Sequence, residues 1–189
     1  METNLVRIIS DVSKIMEIEE TFKKVIHVSG ELKKSWVKER GGVVVPVESA
    51  SHFDEHDAEL ISKAIQATGL RKCFGVAAEP LEGVPKLVEI RITKQGLLEF
   101  NRDFCHFNFA LIGEFFEFII LCTTNDYYLV SGKRGFVEEA IGMTIEEGFR
   151  QFQMFVMASN LSTGEKNRLL NILENCKNAD SVFPIGKCD

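Results

Sequence analysis

Residues Phe115–Ser159, FFEFIILCTTNDYYLVSGKRGFVEEAIGMTIEEGFRQFQMFVMAS, decide the reading of this chain. Up to Cys122 the run is apolar and β-branched. Thr123-Thr124-Asn125-Asp126 then supplies turn residues, and Tyr127–Ser131 is a second β-branched and aromatic run. This pattern predicts two antiparallel strands joined by a tight turn. After the Gly132–Gly135 loop, Phe136–Ile141 reads as a short helix stopped by Gly142. Thr144 and Glu147 stand three apart, the spacing of a capping box, ahead of a helix with Ile145, Phe149, Phe152 and Val156 on one face.

Ahead of that block, residues 105–112 add a strand, so 105–131 reads as a three-stranded meander. Lys72–Ala78 and Leu87–Ile92 are strands too, the latter alternating Val88, Ile90 and Ile92 with Glu89 and Arg91. Thr93 is placed to cap a helix over 94–103. A strand over 97–109 competes, because Phe104, Phe107 and Phe109 favour extended backbone. Val43–Val47 is a short strand that Pro46 confines to a sheet edge. Ser51 and Asp54 resemble a cap for a helix carrying Leu60, Ile61, Ala64 and Ile65, which ends at Gly69. Ser162 with Glu165 repeats the capping device before a last helix with Leu169, Leu170, Ile172 and Leu173.

At the other end, Leu5, Ile8, Val12, Ile15, Phe22, Ile26 and Trp36 recur at roughly helical steps. They predict an amphipathic helical arm over 1–40, broken near Gly30, with Ser29 capping a second helix over 31–40. Residues 25–28 read alternatively as a strand. The expected organisation is an arm at 1–40, one α+β domain at 43–177 and a loose tail at 178–189. The domain is an antiparallel sheet with flanking helices, pictured on one face.

Composition narrows the function classes. The formal charge of −6 disfavours nucleic acid and anionic membrane surfaces. Lys33, Lys34, Lys38 and Arg40 around Trp36 read as cations at a helix C-terminus. Residues 107–122 form the most apolar run. Asn108, Glu114 and Glu117 interrupt it, and it falls short of the roughly 20 residues that span a bilayer. The first residues do not have the pattern of a secretory signal. A cytoplasmic protein is expected. Cys73, Cys105, Cys122, Cys176 and Cys188 show no CxxC spacing, which argues against a disulfide framework or a zinc ribbon.

Chemical candidates are few. Ser131-Gly132-Lys133-Arg134-Gly135 has neither the first glycine nor the hydroxyl residue of a phosphate-binding loop, yet Lys133 and Arg134 could hold an anion. Tyr127 and Tyr128, pointing to opposite sides of their strand beside the Asn125-Asp126 turn, are a separate ligand candidate. His52 and His56 stand four apart and would share one helix face, near Asp54, Glu55 and Asp57, as a metal site. Cys105 and His106, adjacent on a strand, would face opposite ways and could not act as a nucleophile–base pair.

No cofactor is implied. The expectation is a non-enzymatic interaction or regulatory module, self-associating or binding a protein partner through Ile8, Val12, Ile15, Phe22, Ile26 and Trp36. The alternative is a small-molecule sensor with a pocket in the Phe-rich core. A hydrolase that gathers His106 or His56 with Asp126 or Asp103 comes third.

Overall fold

The structure, a computed structural model, describes residues 4–26, 32–49, 52–78, 82–125 and 127–180. The elements follow in the order β1 (Val6–Ile8), α1 (Val12–Val25), α2 (Lys34–Glu39), β2 (Val43–Glu48), α3 (Glu55–Ala67), β3 (Lys72–Ala77) and β4 (Leu87–Arg91). They continue with α4 (Lys94–Phe104), β5 (Phe109–Ile112), β6 (Ile119–Cys122), β7 (Tyr127–Gly132), α5 (Arg134–Ile141), α6 (Ile145–Ala158) and α7 (Thr163–Asp180). One seven-stranded sheet runs β1-β4-β3-β5-β6-β7-β2. Every pairing in it is antiparallel. The fold class is α+β.

β5, β6 and β7 form the meander. The first strand starts at Phe109 and not at 105, because α4 holds the chain through Phe104 and Cys105 caps it in helical backbone. The helix therefore wins over the strand reading of 97–109. Thr93 does cap it, accepting from the Gly96 N–H at 3.0 Å. The link from β5 to β6 is longer than Gly113-Glu114, and Phe116 turns it with φ 56°. β2 lies at the sheet edge, where the Pro46 nitrogen, which carries no hydrogen, leaves no ladder bond unmade.

Helices cover both faces of the sheet, not one. Alternation along each strand divides the side chains. Val43 and Val45 of β2 and Tyr128 and Val130 of β7 face one layer, while Val44 and Leu129 face the other. α3, α4 and α5 close the first face through Ile61, Ile65, Leu97, Phe100, Val137 and Ala140. Gly75 of β3 permits this approach, since a Cβ there would lie 2.9 Å from the Phe100 ring. α1, α2 and α7 cover the second face through Ile18, Phe22, Val25, Trp36, Val37 and Cys176. α6 packs on α7 through Phe152, Val156, Leu169 and Leu173.

The amino-terminal segment departs from the predicted helical arm. Residues 6–8 form an edge strand registered on β4, with Val6 opposite Ile90. The helix starts only after Asp11, whose carboxylate accepts from the N–H groups of Ser13 and Lys14 at 2.9 and 3.2 Å. The second helix is α2, shorter than 31–40, and an Ile26–Leu32 bridge precedes it. The Ser29 and Gly30 readings lie outside the described residues. The cap of α3 is Asp54 with Asp57, a reciprocal capping box, while Ser51 lies outside the described residues. The Thr144–Glu147 and Ser162–Glu165 boxes are present. Gly142 ends α5 in left-handed backbone at φ 69°. α7 runs on to Asp180, past the point where the tail was expected to start.

Candidate functional site

A concavity lies on the second face, where β3 and β6 end and β5 and β7 begin. It is a cleft of about 560 Å³. Its floor is apolar, from Val44, Leu121 and Leu129. One wall is α2, with Lys34 and Val37. The other is α7, with Asn167, Asn171 and Asn175. Asn108, Thr123, Asn125 and Tyr127 form the end.

Helical periodicity builds the α7 wall. Leu169, Leu173 and Cys176 are buried, so residues 167, 171 and 175 fall on an adjacent face, one turn apart. Asparagine is a poor helix former, and the three together cost α7 up to roughly 2 kcal/mol against alanine. The Lys34 ammonium donates to the Asn175 carbonyl oxygen at 2.9 Å. Arg168 donates to the Asn125 carbonyl oxygen at 3.4 Å. The Asn167 and Asn171 side chains have no hydrogen-bond partner among the described residues.

The end wall is held by its own turn. Thr123 donates its hydroxyl to the Tyr127 carbonyl and accepts from the Asn125 N–H. Asn108 accepts from the Thr124 N–H at 2.9 Å. Local side-chain bonding thus shapes this turn, as its composition suggests. The Tyr127 ring packs edge-on against Phe152, 6.1 Å between centroids. At the floor, burial pushes the Cys176 thiol up to about 12, so it stays protonated and weakly nucleophilic near neutral pH. Two cations and no carboxylate stand among the described lining residues.

The candidates read from the sequence are not gathered in one place. Tyr127 reaches the cleft, but Tyr128 faces the opposite layer, fully buried, edge-on to Phe53 at 6.4 Å. Burial raises the Tyr128 phenol well above its ordinary range, with the Asp57 carboxyl group beside it. Lys133 lies six residues beyond Tyr127, about 20 Å along an extended strand. Arg134 is engaged by Glu138 and Glu146 at 3.2 and 3.3 Å, tying α5 to α6. The two tyrosines thus face different layers, and the Lys133-Arg134 loop lies at the far end of β7 from the cleft.

His52 and His56 do not share a helix face. His56 is exposed in the first turn of α3, but His52 precedes the Asp54 cap in left-handed backbone at φ 58° and is buried. The His52 ring lies beside the carbonyls of Phe104, Phe107 and Thr123, although neither ring nitrogen makes a well-aligned hydrogen bond. Burial lowers its pKa below the ordinary value. No group of three metal-ligating side chains occurs among the described residues. Cys105 and His106 stand in the turn that ends α4, not on a strand.

The six proposed interaction residues also divide. Ile8 and Val12 are 60% and 67% exposed, whereas Phe22, Ile26 and Trp36 belong to the core of the second face. Ile15 is partly buried against that core. A residue at a helical step is available to a partner only if no sheet lies beneath it. Among the described residues no helix is long and apolar enough to cross a membrane.

The α7 wall was not among the candidates read from the sequence. Asn167, Asn171 and Asn175 recur every four residues between leucines, a signal open to inspection but masked by attention to apolar periodicity. Comparison of the chain with protein-family models, curated proteins and solved structures finds no match.

Proposed function

We propose that this chain is a non-enzymatic binding module whose site is the cleft between α2 and α7. The observation that carries this reading is the α7 wall. Three solvent-exposed asparagines one turn apart line a concavity with an apolar floor, and the hydrated amides of Asn167 and Asn171 have no protein partner among the described residues. Such groups fix the orientation of a ligand while the floor supplies burial. The described lining residues include no carboxylate or imidazole, and the one thiol is held protonated, which supports binding over proton-transfer chemistry. The cations Lys34 and Arg168 favour a ligand with negative charge.

The test is thermal unfolding of the full chain with a panel of small anions and acidic peptides, alongside Arg168→Glu. A ligand that raises the wild-type melting temperature but not that of the variant supports the reading. Equal shifts in both proteins, or none in either, would sink it.

A second reading rests on a different surface. Val12 and Met16 lie one turn apart on the exposed side of α1, and Ile8 is exposed on the edge strand β1. Self-association through these residues fits an apolar surface that the described chain leaves uncovered. Light scattering on the wild type and on Val12→Glu checks it. A wild type that remains monomeric at high concentration removes the idea.

A further inference from the structure

We propose that the occupant of the cleft is an acidic peptide segment of another protein, lying extended along α7. This rests on the cleft being a ligand site, and it adds the chemical class. Positions 167, 171 and 175 are four residues apart, an advance of about 6 Å per step along a helix. An extended peptide advances about 6.6–6.8 Å for every second residue. Three asparagines therefore stay in register with alternate residues of a strand, drifting by less than about 2 Å over the ladder.

The amide chemistry fits as well. A peptide unit carries one N–H donor and one carbonyl acceptor, and both need partners when water is displaced. Asparagine offers the complementary acceptor and donors from one side chain. Asn167 and Asn171 have both kinds of group available among the described contacts. A bare phosphate would call for donors alone, and the amide oxygens of the ladder would find no partner on it. Beneath the ladder, Val44, Leu121 and Leu129 offer apolar area for side chains that point down from the strand.

Charge completes the assignment. Lys34 is bonded to Asn175 at one end of the ladder, and Arg168 stands beside Asn167 at the other. Seven helical residues separate 168 from 175, about 10 Å of rise. Three residues of extended chain cover about the same distance. The preferred peptide thus carries two carboxylates two or four positions apart, so that both point to one side of the strand, with apolar residues at the alternate positions turned to the floor.

The experiment is selection of random octapeptides displayed on phage against the full chain, followed by fluorescence anisotropy with the selected peptide. Inorganic phosphate, citrate and adenosine monophosphate serve as competitors and are tested for binding in their own right. The selected sequences should share the paired acidic positions. Asn171→Ala and Arg168→Gln should each weaken binding by about tenfold, the latter with a shallower salt dependence. Met157→Ala, exposed on α6 and outside the cleft, should leave it unchanged. Asn171→Ala also favours the helix, so loss of binding would not reflect loss of fold. Peptides without paired acids, or peptides insensitive to Asn171 and Arg168, overturn the proposal. Small anions that bind through Arg168 while no peptide does overturn it but leave the cleft as a ligand site. Binding by neither class removes both.

Discussion

The two faces of the sheet use the same strands to opposite ends. On the α3/α4/α5 face, Phe53, Phe100, Phe104 and Phe109 interlock with centroids 5.0–6.4 Å apart, and helices seal the layer. On the α1/α2/α7 face, the helices part at one end of the sheet and leave the floor of the cleft to Val44, Leu121 and Leu129. Leu129 and Val130 are neighbours on one strand, yet Leu129 underlies the cleft and Val130 is in the sealed core. The pleat alone makes that assignment. The lesson is that burial on one face supports an incompletely filled surface on the other.

Substitutions on the two faces should therefore differ in size. The largest effect is expected from Phe100→Ala, which empties the centre of the aromatic layer and should lower stability by about 3–5 kcal/mol in urea denaturation. Leu129→Ala should cost about 2 kcal/mol, near the lower limit for a buried leucine, because its upper side faces the cleft. An equal loss for the two would mean that the floor is as closely packed as the sealed layer.

A third comparison uses pH. Burial lowers the folded-state pKa of His52 below its ordinary value of 6.5. The unfolded chain then takes up a proton that the folded chain refuses. This contribution is complete above about 6.5 and is lost as pH falls below it, towards the folded-state value. Asp57, raised from its ordinary 3.8 by burial, acts with the opposite sign, since the folded chain holds its proton more tightly. Denaturation midpoints measured from pH 8 to pH 5 on the wild type and His52→Asn separate the two. Asparagine tolerates the left-handed backbone at this position and should flatten the acid side of the curve. Parallel curves would show that His52 is not the titrating group.

The smallest effect should come from the cleft wall. Asn171→Ala is expected to raise stability by up to about 0.7 kcal/mol, through helix propensity alone. A loss in place of a gain would show that the asparagine is a structural residue, and the contrast between the faces would blur.

Much of the fold is legible in the sequence. The meander, the edge position imposed by Pro46 and the Thr144 and Ser162 caps depend on contacts between near neighbours, and near neighbours are visible in a string of letters. The segment at Ile8 failed for an instructive reason. Asp11 is a helix cap, but the three- and four-residue steps of apolar residues run straight across it, so the pattern does not show the break. The pair His52 and His56 failed for a similar one, since the helix starts between them. At the candidate site, Tyr127 was legible as a polar aromatic residue beside a turn. Asn167, Asn171 and Asn175 were not, because their meaning depends on what lies across from α7.

By itself the sequence determined every strand but β1, where most helices start and stop, and that the chain has an apolar core with an acid-rich surface. These follow from backbone preferences, capping and alternation, all of them local in the chain. Only the tertiary structure decided that helices cover both faces, that Trp36 and Phe22 are core, and that Lys34 meets Asn175 across 141 positions of sequence. Those outcomes depend on which surfaces exclude water from one another, and that is a property of the assembled sheet and not of any segment within it.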